Sequence, residues 1–111
     1  ILIVLNKKEK DKLQTELDKR KIYEESLDEI DNSPEGITSL DLLNRGFFKE
    51  WYGLGYNYTY LELAKIFEKK EQGNIADFCR KMSEILYLGN EIKTSEFNNL
   101  KDVFHQIIKK S

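Results

Sequence analysis

Beyond residue 36, apolar residues recur every three to four positions, which predicts a series of amphipathic helices. Four apolar stripes stand out: Leu40, Leu43, Phe47, Trp51; Tyr60, Leu63, Ala64, Phe67; Ile75, Phe78, Cys79, Met82, Ile85, Leu86; and Phe97, Leu100, Phe104, Ile107, Ile108. The short polar segments between the stripes favour antiparallel neighbours. We therefore predict an all-α fold, an antiparallel bundle of four helices from Ser39 to Lys110, preceded by a long charged helix.

A subset of the stripe residues is expected to form the centre of the core, namely Leu63, Phe67, Phe78, Met82, Leu86, Leu100 and Phe104. Capping residues predict the helix starts: Thr38 or Ser39, Thr59, Asn74, and Thr94 or Ser95. Glycines predict the ends of the first three helices: Gly53, Gly73 and Gly89. The start at Thr59 is the most specific, because Glu62 follows three residues later and the pair matches a capping box.

The segment before the bundle is dominated by charge, since 13 of the 19 residues from Lys7 to Glu25 are charged. Opposite charges four positions apart, as in Lys21 and Glu25, support a solvent-exposed helix. The loop-forming residues 31–36 mark its end. The sequence thus predicts a possible membrane-span end at 1–5, a charged helical linker at 6–31 and a helical bundle domain at 36–111.

The first five residues, Ile1–Leu5, are apolar, and four lysines follow within seven positions. Lysines next to a membrane span are retained on the cytoplasmic side. We therefore expect Ile1–Leu5 to be the end of a transmembrane helix, with the domain facing the cytoplasm. The charged helix would then hold the bundle about 35 Å from the membrane. The alternative is that Ile1–Leu5 packs on a soluble cytoplasmic domain as a first helical turn or a short strand.

Charge and cysteine content limit the classes of function that the chain can have. Residues 1–35 carry seven basic and ten acidic side chains, and residues 36–111 carry eleven and ten, so neither part has the basic excess of a nucleic-acid-binding surface. A single cysteine, Cys79, rules out an internal disulfide or a thiolate zinc cluster.

The combination of Cys79 and His105 is the obvious candidate for nucleophilic catalysis. Cys79 falls on an apolar stripe, where a buried thiol is inert, and His105 has no second histidine to share a metal. Gly53 and Gly55 lack the further residues of a phosphate-binding loop. We expect no enzymatic activity, cofactor, metal or small-molecule substrate.

Aromatic residues are concentrated between positions 47 and 60. Phe47 and Trp51 are expected in the core, and the others either cover the end of the bundle or form a partner surface, because tyrosine combines contact area with a polar tip. The candidate partner surface consists of Phe48, Tyr52, Tyr56, Tyr58 and Tyr60.

The order of several short motifs is similar to that of a known domain. These motifs are Tyr52-Gly53, the run from Tyr58 to Ala64, the run from Phe78 to Gly89, and the helix containing Glu96. Residues 40–108 resemble the C-terminal helical domain after the last membrane span of archaeal and bacterial transglutaminase-like membrane proteins. In that family a Thr-x-x-Glu opens one helix, here Thr59 and Glu62, and a tyrosine before a glycine turn closes the next, here Tyr87 and Gly89. The resemblance implies a membrane-tethered helical module without the catalytic domain.

These observations together predict a non-catalytic helical module that binds a protein partner, as the cytoplasmic tail of a membrane-anchored protein. The alternative is a soluble nucleic-acid-binding or regulatory helical domain, since Thr59–Ala64 also resembles the first helix of a helix-turn-helix.

Overall fold

A computed structural model describes residues 7–33, 35–89 and 92–111 of the chain. These residues form five helices: α1 (Lys7–Glu29), α2 (Gly36–Tyr52), α3 (Tyr60–Lys69), α4 (Gly73–Leu88) and α5 (Thr94–Lys110). The described ranges contain no strand, so the prediction of an all-α fold is confirmed. The antiparallel arrangement of α2 to α5 stays a prediction, and the expected membrane segment Ile1–Leu5 lies outside the described residues.

Aromatic side chains from three helices meet around Phe104 of α5 at the centre of the core. Its ring centroid lies 5.6 Å from that of Phe47, 6.4 Å from that of Phe48 and 5.6 Å from that of Phe78. Phe67 of α3 joins through Phe48, at 5.1 Å. Fixed contacts between large rings hold α2, α3, α4 and α5 in one core.

The predicted core residues are buried with one exception. Leu63, Phe67, Phe78, Met82, Leu100 and Phe104 are at most 3% exposed. The prediction for Leu86 is wrong, since this residue in the penultimate turn of α4 is 39% exposed. The prediction that Phe48 belongs to the candidate partner surface is also wrong, since Phe48 is buried in the core.

The last two turns of α1 pack against α2 and α5, which differs from the expected helix that holds the bundle at a distance. Leu27 is only 1% exposed, and the Tyr23 ring makes edge contacts with the rings of Phe47 and Trp51 at 5.4 and 5.9 Å. Tyr23 and Leu27 are four residues apart and therefore lie on one face of α1. These two side chains are enough to bury that face of the last two turns.

Polar contacts show that α1 runs antiparallel to α5. The Arg20 guanidinium donates to the carbonyl oxygen of Ser111, and Lys101 Nζ donates to the Ile30 carbonyl oxygen at 2.6 Å. Beyond α1, Asn32 Nδ2 donates to Thr94 Oγ1 at 2.9 Å. Both ends of the packed part of α1 are therefore fixed to α5.

Several helix ends confirm the predictions from capping, and others correct them. Gly53 and Gly89 end α2 and α4 with φ angles of 69° and 60°, and Thr59 and Glu62 form the capping box of α3. The predicted starts at Thr38 or Ser39, Asn74, and Ser95 are wrong, since those helices begin at Gly36, Gly73 and Thr94. Thr94 is the first residue of α5, not its cap, and its hydroxyl binds Asn32.

Candidate functional site

The five residues predicted to form a partner surface divide into buried, half-buried and exposed positions. Phe48 and Tyr60 are 1% and 2% exposed and belong to the core, so they offer no area to a partner. The Tyr60 hydroxyl donates to Asp41 Oδ1 at 2.6 Å. Burial, followed by this bond, raises the pKa of Tyr60, which keeps the phenol protonated.

Tyr52 and Tyr58 are half-buried and mainly fix neighbouring segments. The Tyr52 ring packs edge-on against Phe67 at 5.1 Å, and its hydroxyl shares a 2.8 Å hydrogen bond with Ser111 Oγ. The carbonyl oxygen of Tyr58 accepts from Arg45 Nη1 at 2.6 Å. Both tyrosines therefore contribute to the surface only with their outer edges.

Tyr56 is the member of the set that remains at the surface, with 53% of its area exposed. Its ring lies beside the Lys49 ammonium, 5.1 Å from the ring centroid, and its carbonyl oxygen accepts from Arg45 Nη1 at 3.3 Å. A cation next to an aromatic face is attracted by the electron-rich ring. The first contact involves the ring of Tyr56, and the second attaches its backbone to α2.

Arg45 is the residue that attaches the loop after Gly53 to α2. Its Nε donates to Asp41 Oδ1 at 3.0 Å, its Nη1 donates to both loop carbonyls, and its guanidinium lies 4.6 Å from the Tyr60 ring centroid. Its side chain is only 18% exposed, so the charge-assisted bonds form in a partly desolvated setting where they are stronger.

Gly46 of α2 lies close to side chains of both α1 and the loop. A methyl group at Gly46 would lie 3.5 Å from the Tyr23 hydroxyl and 3.8 Å from the Tyr56 hydroxyl. These are ordinary van der Waals distances, so both hydroxyl groups lie near this point of α2. Gly46 was not predicted as a site residue, although a glycine in the interior of a helix is a signal of close packing.

A short polar cluster borders these tyrosines. The Tyr23 hydroxyl donates to Glu50 Oε2 at 2.7 Å, and Lys19 Nζ lies 3.1 Å from Glu50 Oε1. The bond from Tyr23, followed by that from Lys19, lowers the pKa of Glu50. Burial, followed by the bond to Glu50, raises the pKa of Tyr23.

We define the Tyr56 surface as Leu42, Lys49 and Tyr56, with Tyr23 at its edge. Leu42 is 62% exposed and precedes Lys49 by seven residues, which places both on one face of α2. Neither Leu42, Lys49 nor Tyr23 was predicted as a site residue. The position of Tyr56 beside Lys49 depends on how the loop folds back over α2, which periodicity does not reveal.

The candidates for chemistry lie apart from this surface. Cys79 is fully buried, and burial raises the pKa of its thiol to about 12, which keeps it protonated and unreactive. His105 is half-buried and lines a groove between α1 and α5. Over the described ranges, no three His, Cys, Asp or Glu side chains are grouped so that they could hold a metal ion.

None of the helices in the described part of the chain is both long and apolar enough to span a membrane. Comparison with known proteins gives no match to a protein-family model, a curated protein or a solved structure. The resemblance to the C-terminal domain of transglutaminase-like membrane proteins therefore stays a prediction.

Proposed function

We propose that this chain is a non-catalytic helical module that binds a protein partner through the Tyr56 surface. The observation that carries the proposal is that Tyr56 is 53% exposed, while its ring lies beside the Lys49 ammonium and its backbone carbonyl is bound by Arg45. Binding sites gain affinity from side chains that are ordered before the partner arrives, because less conformational entropy is lost on association. Tyrosine is also among the residues that contribute most to interfaces.

The composition of the Tyr56 surface supports a protein rather than a nucleic acid as its partner. Leu42 supplies an exposed apolar side chain on the same face of α2 as Lys49, and Lys49 is the single cation among the residues that define the surface. Tracking a phosphate backbone requires several cations along one groove.

The helix-turn-helix alternative is disfavoured by the charges of α4. Its arginine, Arg80, forms ion pairs with Glu68 of α3 and with Asp77, the latter at 2.7 Å. An arginine neutralised by two carboxylates is less available to phosphate or to base edges.

We propose further that the module is the cytoplasmic tail of a membrane-anchored protein. The support for this is the order of the first residues, apolar Ile1–Leu5 followed by lysines, together with the resemblance over residues 40–108.

The function is tested by photo-cross-linking in an extract of the source cells. Tyr56→benzoylphenylalanine is compared with Tyr87→benzoylphenylalanine, since Tyr87 is also an exposed tyrosine, at 71%, and lies on α4. We expect one saturable protein adduct from position 56, abolished by excess unlabelled wild type or Tyr87→Ala but not by Tyr56→Ala.

Two results would contradict the proposal. The first is equal labelling from both positions, and the second is competition by Tyr56→Ala as effective as that by wild type. A nucleic-acid adduct whose yield falls steeply between about 50 and 200 mM salt would instead support the alternative function.

A further inference from the structure

The part of α1 that packs on the bundle, residues 19–29, reaches the Tyr56 surface through Tyr23. The Tyr23 hydroxyl donates to Glu50 Oε2 at 2.7 Å. The hydroxyl groups of Tyr23 and Tyr56 both lie near Gly46, at 3.5 and 3.8 Å from the position that a methyl group on this glycine would take. A movement of residues 19–29 would therefore change the surroundings of the Tyr56 ring.

Residues 19–29 are held firmly at their C-terminal end. Leu27 is 1% exposed, and Ile30 packs against the core directly after the helix. Lys101 of α5 donates to the Ile30 carbonyl oxygen at 2.6 Å, and Asn32 Nδ2 donates to Thr94 Oγ1 at 2.9 Å. Because apolar burial and hydrogen bonds to α5 coincide here, this end would be the pivot of a movement of α1.

The opposite end of residues 19–29 is held by polar side chains near the surface. The Arg20 guanidinium donates to the Ser111 carbonyl oxygen and lies 5.7 Å from the centroid of the Trp51 ring. Lys19 pairs with Glu50, and these two side chains are 47% and 37% exposed. Ion pairs with such exposure contribute little to stability and are screened by salt. This end is therefore easier to release than the C-terminal one.

Between the two ends, α1 buries little apolar area. Ile22 and Tyr23 are the apolar residues among positions 19–26. Ile22 is 60% exposed, and the half-buried Tyr23 makes edge contacts with the rings of Phe47 and Trp51 at 5.4 and 5.9 Å. Segments with few buried apolar contacts open locally at a lower free energy than the rest of the protein.

We propose that residues 19–29 form a detachable strap that controls the Tyr56 surface. In the closed form, Tyr23 packs on Trp51 and forms the edge of the surface. In the open form, α1 pivots at its C-terminal end, Tyr23 leaves Glu50, and the Tyr56 ring loses a neighbour and becomes less ordered. A partner that needs an ordered tyrosine binds the closed form more tightly. This regulation rests on the proposed function of the Tyr56 surface, whereas the movement of the strap does not.

The proposal is tested by NMR relaxation dispersion of the Trp51 indole N–H. The chain contains a single tryptophan, and its ring lies beside both Arg20 and Tyr23. Arg20→Gln removes the hydrogen bond at the releasable end and should raise the population of the open form about 3- to 10-fold. Lys21→Gln is the matched control, because Lys21 is the adjacent cation but pairs within α1, with Glu25 at 4.0 Å. It should change the open population by less than about 2-fold.

A second measurement needs no variant. A rise in salt from about 50 to about 500 mM should weaken the exposed ion pair between Lys19 and Glu50 and increase the open population of the wild-type chain. In every sample the Tyr56 ring should exchange at the same rate as the Trp51 indole, because one movement changes the surroundings of both.

The proposal is overturned if Arg20→Gln and Lys21→Gln have equal effects on the exchange of Trp51, or if the Tyr56 ring does not exchange together with Trp51. It is also overturned if Trp51 shows no exchange in Arg20→Gln at high salt, which would mean that α1 separates only when the whole chain unfolds. The proposed function fails on a different result, the lack of a selective protein adduct from position 56, so the two failures are distinguishable.

Discussion

Asn44 is a polar side chain within an aromatic core, and its hydrogen bonding is incomplete. The residue is fully buried, and its Nδ2 donates to the Tyr60 hydroxyl over a long distance of 3.4 Å. Among the described residues, no hydrogen-bond donor reaches its Oδ1. A buried acceptor without a donor loses its hydration and gains nothing in return.

Asn44→Leu is therefore expected to leave the free energy of unfolding unchanged or to raise it by about 1 kcal/mol. The Tyr60 hydroxyl keeps Asp41 as its acceptor, so the substitution creates no new unpaired group. Asp41→Ala is the contrasting variant, since it leaves that buried hydroxyl without its acceptor and should cost about 1–3 kcal/mol. Urea unfolding measures both, and a loss above about 2 kcal/mol in Asn44→Leu would show that Oδ1 has a stabilising partner.

The bond between Tyr23 and Glu50 predicts a pH-dependent contribution to stability. The pKa of Glu50 is lowered in the folded chain, so the unfolded chain binds more protons in acid. The stabilisation is present above the unfolded pKa, near 4.5, and is lost as pH falls through the lowered folded pKa.

Tyr23→Phe should therefore destabilise the chain more at about pH 7 than at about pH 3, as measured by urea unfolding at both pH values. Tyr87→Phe, which changes an exposed tyrosine, should show no such difference. An equal effect of Tyr23→Phe at both pH values would mean that the hydroxyl does not influence the Glu50 carboxylate.

At the level of single residues, burial was predictable for most members of a regular stripe, with Leu86 as an exception. All five α5 stripe residues, from Phe97 to Ile108, are buried as predicted. Phe48 and Tyr60 were grouped with a surface because they lie in an aromatic run, yet Tyr60 is also a stripe residue and Phe48 neighbours one. Helical spacing indicated the burial of Tyr60, whereas Phe48 lies outside the predicted stripe and its burial was not predicted.

At the level of helices, α2 and α4 both begin with glycine, for different physical reasons. A methyl group at Gly36 would overlap the carbonyl oxygen of Asp31 and lie 3.2 Å from the Phe97 ring. A methyl group at Gly73 would meet nothing within 4 Å. Close approach to the backbone requires the first glycine, whereas the second is replaceable.

Gly36→Ala should accordingly lower the free energy of unfolding by about 1–3 kcal/mol, because the loop before α2 must shift. Gly73→Ala should raise it by about 0.5–1 kcal/mol, because alanine restricts the unfolded chain and favours helix. Thermal unfolding of the two variants side by side measures the contrast. Similar effects of the same sign would contradict the difference in packing.

The turn between α3 and α4 places Glu71, not a glycine, in the left-handed region, with φ of 60°. Gln72 N–H donates to the Phe67 carbonyl and Glu71 N–H to the Glu68 carbonyl, at 2.9 and 3.0 Å. This is the Schellman motif, in which the left-handed position favours glycine. Gly73 predicts the end of α3, but the left-handed residue that ends this helix is Glu71, two residues earlier.

Glu71→Gly is expected to stabilise the chain by about 0.5–1 kcal/mol, since relief of the left-handed strain exceeds the added entropy of the unfolded state. The midpoint of urea unfolding measures this, with Lys70→Gly as a control that should destabilise, because Lys70 has a φ of −86°. A lower midpoint for Glu71→Gly would show that the left-handed conformation carries no strain.

For the whole molecule, the sequence predicted the all-α class because four apolar stripes agree with the capping box at Thr59 and with the glycines that end α2 and α4. It did not predict that α1 joins the core, since Tyr23 and Leu27, which pack in or against the core, lie within a strongly charged segment. The folding of the loop over α2 also escaped prediction. Arg45 fixes that loop through two backbone carbonyls, and such contacts leave no pattern in the sequence.

We propose that Tyr56 is exposed and ordered at the same time. Carbon-13 relaxation of the tyrosine rings tests it directly on the free chain, with Tyr52 as the half-buried reference and Tyr87 as the exposed one. We predict that the Tyr56 ring is as ordered as that of Tyr52 and clearly more ordered than that of Tyr87, and that Lys49→Gln lowers its order. A Tyr56 ring as mobile as that of Tyr87 would contradict a preformed partner surface.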